Sequence, residues 1–108
     1  MKVTEALKIL AENGREQMSG YIEDDGEAIF EEVSPGGPLT DEEDTAIDCL
    51  IDWVNECVSS QDDGGWEDID GGFTVWVKDG RVDMHLSWTE TREDDFTFAV
   101  MEQEVSHE

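Results

Sequence analysis

The chain has 108 residues and a formal net charge of −24, with 30 aspartates and glutamates against six lysines and arginines. A field of this sign repels nucleic acid, anionic lipid and acidic substrates, and it attracts basic grooves. The six basic residues are scattered and form no stripe that would neutralise phosphates, which disfavours direct nucleic-acid binding. The acid is concentrated between Glu16 and Val77, a stretch with nineteen acidic residues and no lysine or arginine.

Length and composition indicate a single domain over residues 1–108. Four Trp, four Phe and one Tyr, together with the aliphatic residues, are enough for one modest core. Acidic tails that stay disordered lack such aromatic residues. No apolar run approaches the roughly 20 residues that span a bilayer, and the first residues are polar, unlike those of a signal peptide. We therefore expect a soluble cytoplasmic protein.

The first third of the chain predicts a helix followed by a hairpin. An apolar stripe over Val3–Ala11 indicates the helix, with Thr4 as its cap and Asn13-Gly14 as its stop. Two strands follow, Gln17–Glu23 and Glu27–Val33, separated by a turn of the Asp-Gly kind. A segment rich in Pro and Gly then ends regular structure.

A second helix is predicted from Thr40 to about Ser59. Thr40 and Glu43 form a capping-box signature, in which each side chain binds the backbone N–H of the other residue. One face of the helix is apolar, with Ala46 and Trp53 at its margins, and this face is expected to pack on the core. It carries Ile47, Leu50, Ile51, Val54, Cys57 and Val58.

The last third predicts three strands in a meander. Gln61–Gly72 is rich in Gly and Asp and is predicted to be a loop. Apolar and polar residues then alternate over Phe73–Lys78 and over Val82–Trp88, on either side of an Asp-Gly turn. A final strand is expected at Phe96–Val100.

These elements predict an α+β fold of order αββαβββ. Its sheet is antiparallel and consists of a hairpin plus a three-stranded meander, and both helices pack on one face. The other face stays in contact with water. Its expected polar residues are Thr74, Lys78, Asp83, His85 and Ser87.

The most informative local pattern is a row of four carboxylates on the second helix, which we call the carboxylate ladder: Asp44, Asp48, Asp52 and Glu56. Because they recur every four residues, they lie along one helix face. Like charges at this spacing destabilise a helix by roughly 0.2–0.5 kcal/mol per pair, and the helix has no basic residue to relieve them. Four residues rise about 6 Å, close to the spacing of phosphates along a nucleic-acid strand. Aligned carboxylates can engage Arg and Lys side chains that otherwise hold phosphates.

The predicted partner-binding surface extends beyond the carboxylate ladder. Near the helix N-terminus, where acids also favour the helix dipole, it includes Asp41, Glu42 and Glu43. Acidic loops rank second, and their candidate residues are Asp24, Asp25, Asp62, Asp63, Asp68 and Asp70. The plainer alternative is that these acids only keep the surface soluble.

No metal or cofactor is assigned from the sequence. Asp68-x-Asp70-Gly71 resembles part of a calcium loop, in which oxygen ligands alternate and a glycine permits a sharp turn. The complete pattern also needs a third early ligand and a closing Glu, and neither is in register. Trp66, in the same loop, is expected to anchor it on the core or the sheet.

The residues with potential chemistry do not indicate an enzyme. Cys49 and Cys57 lie too far apart on one helix for a disulfide, so we expect reduced, buried thiols. His85 is predicted to lie on the wet face of a strand, and His107 is next to the last residue. No nucleophile motif such as GxSxG accompanies them. We therefore expect a non-enzymatic protein.

In size, charge and lack of catalytic motifs, the chain resembles the nucleic-acid-mimic inhibitors of phages and other mobile elements. These include anti-CRISPR proteins and inhibitors of restriction enzymes. The likeness is one of physical character and transfers no residue roles. The segment from Gly64 to Phe73, followed by a hairpin, is similar to a family of small acidic bacterial proteins without an assigned activity, so it bears on the fold more than on the function.

These patterns predict a non-enzymatic inhibitor that occupies the DNA-binding groove of a bacterial defence complex. The most concrete form is an anti-CRISPR protein that acts on a CRISPR effector complex in the host cytoplasm. The alternative is an acidic protein-binding module, antitoxin-like or an adaptor, that recognises one basic partner through shape as well as charge. A monomer is expected, with a homodimer through Trp76 on the second sheet face as the alternative.

Overall fold

The computed structural model describes residues 1–23, 26–61, 69–88 and 93–99. Within these ranges the chain forms two helices and five strands, which confirms the α+β class and the order αββαβββ. The helices are α1 (Val3–Glu12) and α2 (Asp41–Gln61). The strands are β1 (Gln17–Ile22), β2 (Ala28–Ser34), β3 (Ile69–Trp76), β4 (Arg81–Trp88) and β5 (Glu93–Ala99).

The five described strands form one antiparallel sheet in the order β2-β1-β3-β4-β5. Pairing of β1 with β3 joins the hairpin to the meander, with Met18 opposite Val75 and Ser19 opposite Thr74. Helix α2 lies between β2 and β3 in the chain, so it carries the chain from one edge of the sheet to the centre. The sheet thereby has one face under the helices and one open face.

A single hydrophobic core lies between the helices and the sheet. Leu10 of α1, Leu50 and Val54 of α2, and Val75 and Val82 of the central strands are fully buried in it. Strand alternation explains the contribution of the sheet to the core, because every second residue of β4 points into it. Ala46 and Trp53, expected only at the margin of the α2 apolar face, are also buried in the core.

The capping box at the start of α2 is confirmed. Thr40 Oγ1 accepts from the backbone N–H of Glu43 at 3.1 Å, and Glu43 Oε1 accepts from the backbone N–H of Thr40 at 3.2 Å. At α1 the predicted cap is wrong. That helix begins at Val3, before Thr4, and its first turn has no side-chain cap. The helix ends as predicted, with Asn13 as its C-cap, and Gly14 follows with φ of +81°.

The predicted loop over Gln61–Gly72 is wrong at both ends. Helix α2 continues through Gln61, and β3 begins at Ile69. Ile69 is buried opposite Trp88, so pairing with β4 extends the strand through a segment whose glycines indicated a turn. Strand β5 likewise begins three residues before the predicted Phe96. Neither described helix is long and apolar enough to cross a membrane.

Candidate partner-binding surfaces

The carboxylate ladder lies on the solvent side of α2. Its four residues are exposed, whereas Leu50 and Val54 on the other side of the helix are fully buried. The helix rise separates successive ladder residues by about 6 Å along the axis. The predicted exposure of these carboxylates is therefore confirmed.

The ladder lies on a helix that contains no lysine or arginine. Among the described residues, no ladder carboxylate takes part in an ion pair. Asp41 and Glu42 are exposed and, with Asp44, lie in the first turn, where the helix dipole stabilises negative charge. Asp48 and Asp52 lie beyond that turn. Their mutual repulsion is screened by solvent and dissolved ions.

The ladder also borders a groove beside the start of α1. The groove has a volume of about 410 Å³ and is lined in part by Asp48, Asp52, Glu56 and Cys49. Burial raises the pKa of the Cys49 thiol, the nearby N-terminal amine lowers it, and the carboxylates of Asp52, Glu5 and Glu56 raise it, so that the net shift is upward. Cys49 and Cys57 are free thiols, but only Cys57 has the predicted burial, because Cys49 faces this groove. A raised pKa lowers the thiolate fraction of Cys49 and with it the reactivity of this thiol.

Glu43, in contrast, is only 1% exposed. Arg15 Nε donates to Glu43 Oε2 at 2.6 Å, and Arg15 Nη2 donates to Glu43 Oε1 at 3.3 Å. The guanidinium also donates to the carbonyls of Pro35 at 2.7 Å and Pro38 at 2.9 Å. The prediction that Glu43 presents its charge to a partner is wrong, because these groups and the capping bond to Thr40 enclose its carboxylate.

The ion pair fixes the position of the α2 N-terminus. Hydrogen bonding to Arg15 holds the pKa of the Glu43 carboxyl below its ordinary value although burial opposes this. The same bond raises the pKa of Arg15. Because the guanidinium also binds Pro35 and Pro38, it connects the end of α1, the segment before α2 and α2 itself. The exposed ladder is thus presented by a helix whose start is held by buried contacts.

The acidic loop candidates are only partly placed. Asp24, Asp25, Asp62, Asp63 and Asp68 lie outside the described residues, as does Trp66. Asp70 is exposed, but it belongs to β3, opposite Ser87 of β4, and not to a loop.

A second acidic surface lies on the open face of the sheet, around His85. His85 Nδ1 donates to Asp95 Oδ1 at 2.6 Å, and His85 Nε2 lies 3.4 Å from Glu93 Oε2. The hydrogen bond to Asp95 raises the pKa of His85, and the contact with Glu93 raises it further. Both carboxylates come from the edge strand β5, so the imidazole links β5 to β4.

Asp83 is the other fixed carboxylate of this face. Thr97 Oγ1 donates to Asp83 Oδ1 at 2.8 Å, and Trp76 Nε1 donates to Asp83 Oδ2 at 3.0 Å. Arg81 lies over the Trp76 ring, 5.4 Å from its centroid, and 3.5 Å from Asp83. The pKa of Asp83 is lowered, chiefly by the hydrogen bond from Thr97, and further by the bond from Trp76 and the nearby Arg81.

The part of the chain that the structure describes contains no group of three or more His, Cys, Asp and Glu side chains arranged to hold a metal ion. Asp70 and Gly71, which resembled part of a calcium loop, are paired with β4 in extended conformation. Asp68 lies outside the described residues.

Neither the buried Arg15–Glu43 pair nor the His85–Asp95 pair was predicted from the sequence. Arg15 is the last basic residue before the acidic stretch and follows a helix stop, a position from which a buried pair with an acid could have been suspected. The His85–Asp95 pair depends on the register of β5 against β4. That register was not predictable, because the residues between these two strands carry no Asn-Gly or Asp-Gly turn signature.

Comparisons with known proteins give no relative for this chain: no protein-family model, no curated protein and no solved structure matches it.

Proposed function

We propose that the protein is a non-enzymatic inhibitor that mimics the charge of nucleic acid and occupies the basic groove of a DNA-binding protein. Its most concrete form is an anti-CRISPR protein that blocks target-DNA binding by a CRISPR effector complex. The observation that carries the proposal is the carboxylate ladder, whose four carboxylates are exposed and take part in no ion pair with the described residues.

The energetics of α2 support a use for the ladder. Each of its three like-charge pairs, four residues apart, costs roughly 0.2–0.5 kcal/mol. Solubility alone does not require this cost, because alternating acids and bases keep a helix face soluble while stabilising the helix. The ladder keeps the repulsion in a helix with no lysine or arginine. A partner with aligned Arg and Lys side chains would relieve it on binding.

The charge also suits rapid capture of a basic groove. A net charge of −24 attracts a positive cleft over long range and raises the association rate. Such steering weakens with salt, because the Debye length falls from about 10 Å at 0.1 M to about 3 Å at 1 M. Inhibition that depends on the ladder should therefore decline as salt is added.

The alternative function is an acidic binding module that recognises one basic protein by shape as well as charge. The open face of the sheet favours it, since hydrogen bonds from Trp76 and Thr97 hold Asp83 in one position. Competition separates the two functions. Nucleic acid displaces a mimic from its partner, whereas a module bound elsewhere shares the partner with nucleic acid.

The proposal is tested by inhibition of DNA binding. Purified CRISPR effector complexes and restriction enzymes are mixed with labelled cognate duplex, and complex formation is followed by gel shift. We expect the wild-type protein to abolish the shift of at least one target. The variant Asp44→Lys/Asp48→Lys/Asp52→Lys should lose this effect and keep its fold by circular dichroism.

The matched control changes the net charge equally at other exposed acids, Glu12→Lys/Glu31→Lys/Glu32→Lys. It should remain an inhibitor, weakened only by the loss of long-range attraction. Equal loss in both variants would show that total charge acts rather than the ladder. Full inhibition by the ladder variant, or no inhibition of any target by the wild type, would contradict the proposal.

A further inference from the structure

A groove of about 400 Å³ lies between helix α1 and the turn that joins β3 to β4. We call it the turn groove. Its lining includes one side of the helix and residues of the turn, among them Leu7, Lys8, Ala11, Val77, Lys78 and Gly80. None of its lining residues belongs to the carboxylate ladder, so the groove is a separate surface.

The turn groove differs in charge from the rest of the molecule. Lys8 and Lys78 line it, and they are two of only six lysines and arginines in the sequence. Both are exposed, and among the described residues neither takes part in an ion pair. Asp79 also lines the groove, but its carboxylate accepts a hydrogen bond from Arg81 Nη1 at 2.6 Å. The groove thus presents two ammonium groups beside apolar side chains, in a protein of net charge −24.

Strand β5 ends close to the turn groove. Its last residue, Ala99, is the cross-strand partner of Arg81, which directly follows Gly80 of the groove lining. Cross-strand partners have Cα atoms about 5 Å apart and chain neighbours 3.8 Å, so Ala99 lies within about 10 Å of Gly80. Phe98, one residue earlier, lies opposite the buried Val82 and therefore faces the side of the sheet that carries the helices. The chain leaves β5 beside the groove.

The sequence continues after Ala99 with residues 100–108, which lie outside the described residues. Their composition is complementary to the groove, since they include apolar and acidic residues and no lysine or arginine. The apolar residues are Val100, Met101 and Val105, and the acidic ones are Glu102, Glu104 and Glu108. Nine extended residues reach up to about 30 Å, whereas the groove follows α1 for about 10 Å, from Thr4 to Ala11. The segment is therefore long enough to follow the whole groove.

We propose that residues 100–108 dock in the turn groove of their own chain, with apolar side chains on Leu7 and Val77 and glutamates beside Lys8 and Lys78. The connection to β5 favours this occupant, because a tethered segment is present at an effective concentration on the order of millimolar. A separate acidic partner is the poorer occupant, since the net charge of −24 repels it over long range. A basic partner would meet the two lysines.

Carbodiimide cross-linking of the whole protein tests the contact directly. The reagent joins a lysine to a carboxylate when the two groups touch, and mass spectrometry of the digested monomer identifies the joined residues. We expect Lys8 and Lys78 to be joined to glutamates of residues 100–108. Lys2 is the internal control, because it is exposed but does not line the groove, and it should give no such cross-link.

Two matched variants separate apolar docking from charge. Met101→Ala/Val105→Ala truncates two apolar side chains, and Gln103→Ala/His107→Ala truncates two polar ones at the same spacing. The first should lower the cross-link yield severalfold and move the NMR amide resonances of Gly80, because it removes apolar area from the groove. The second should change the yield by no more than about twofold, as is usual for surface substitutions.

Three results would overturn the proposal. Cross-links from Lys8 and Lys78 only to their chain neighbours Glu5, Glu12 and Asp79 would exclude docking. Equal yields from the two variants would mean that charge alone attracts the segment and that the apolar lining does not hold it. In a mixture of isotope-labelled and unlabelled protein, cross-links that join the two forms would make the segment of a second copy the occupant. The outcome is independent of the DNA-binding inhibition assay, because neither variant changes a ladder residue.

Discussion

Helix α2 holds carboxylates in two opposite settings. At its start, Glu43 is buried and bound to Arg15 by two hydrogen bonds. Along its outer side, the ladder residues are exposed and take part in no ion pair with the described residues. One carboxylate therefore stabilises the fold, while the other four add repulsion to it.

The difference shows that acidic residues in one run of sequence need not share a role. Glu43 and Asp44 are adjacent, yet the helix turns them to opposite environments. The partner of Glu43 is 28 residues away in the chain, before the acidic stretch begins.

The largest expected change in melting temperature comes from removing the buried Glu43 carboxylate. Glu43→Ala leaves the Arg15 guanidinium buried without its counter-charge and also removes the capping bond to Thr40. Breaking one side of a buried pair usually costs several kcal/mol, so we expect the melting temperature to fall by more than about 10 °C. The exposed neighbour provides the control: Glu42→Ala should change the melting temperature by no more than about 3 °C.

A double replacement tests whether the loss comes from the unpaired charge. Arg15→Met/Glu43→Leu removes both charges and should be more stable than Glu43→Ala, because no buried ion then lacks a partner. A double variant as unstable as the single one would assign the effect to packing or capping instead. Differential scanning calorimetry of the three proteins decides between these causes.

The contribution of the buried pair should also depend on pH. The folded-state pKa of Glu43 lies below its ordinary value of 4.5. The stability that the ionised Glu43 contributes to the fold is therefore fully present above pH 4.5 and is lost as pH falls through the lower, folded-state pKa. The difference in melting temperature between wild type and Glu43→Gln should narrow over that range, since the other acids titrate in both proteins. A difference that is constant from pH 7 down to pH 3 would contradict the ion pair.

The ladder should give a smaller effect of opposite sign. Asp48→Lys replaces two repulsive pairs, with Asp44 and Asp52, by attractive ones at the same spacing. We expect a stabilisation of about 1 kcal/mol and a rise in melting temperature of a few degrees at low salt. The rise should shrink in 1 M salt, where screening is strong. A destabilised Asp48→Lys variant would show that the ladder contributes to the fold.

The smallest effect is expected for His85 on the open face. Its folded-state pKa is raised above 6.5, and the charged groups that face it are Asp95 and Glu93. The stability that His85 contributes to the fold is present below pH 6.5 and is lost as pH rises through the higher, folded-state pKa. Chemical denaturation of wild type and His85→Gln should therefore differ slightly at pH 6 and coincide at pH 9. A difference that grows with pH would contradict the contact.

Much of the fold was predictable from local signals. The Thr40–Glu43 capping box, the apolar face of α2 and the alternation of β4 each indicated an element that the structure contains. The exposure of the ladder followed from its four-residue spacing alone. These features depend on residues close together in the chain, for which sequence spacing fixes geometry.

What was not predictable depends on contacts between distant segments. Ile69 extends β3 because it is buried opposite Trp88, which overrides the turn preference of the glycines that follow. Burial of Glu43 depends on Arg15, and the His85–Asp95 pair depends on the register of β5 against β4. No local pattern specifies these pairings, since each needs the tertiary arrangement of two or more strands or helices.

The central claim is that the ladder acts in place of nucleic-acid phosphates. The most direct measurement is the inhibition constant against target-DNA binding by a CRISPR effector complex, for wild type and the Asp44→Lys/Asp48→Lys/Asp52→Lys variant, from 50 to 200 mM salt. We predict that the wild-type constant weakens by roughly tenfold or more over this range, as for phosphate-like contacts, and that the variant does not inhibit. A wild-type constant that is insensitive to salt, or a variant that inhibits as well as wild type, would contradict the claim.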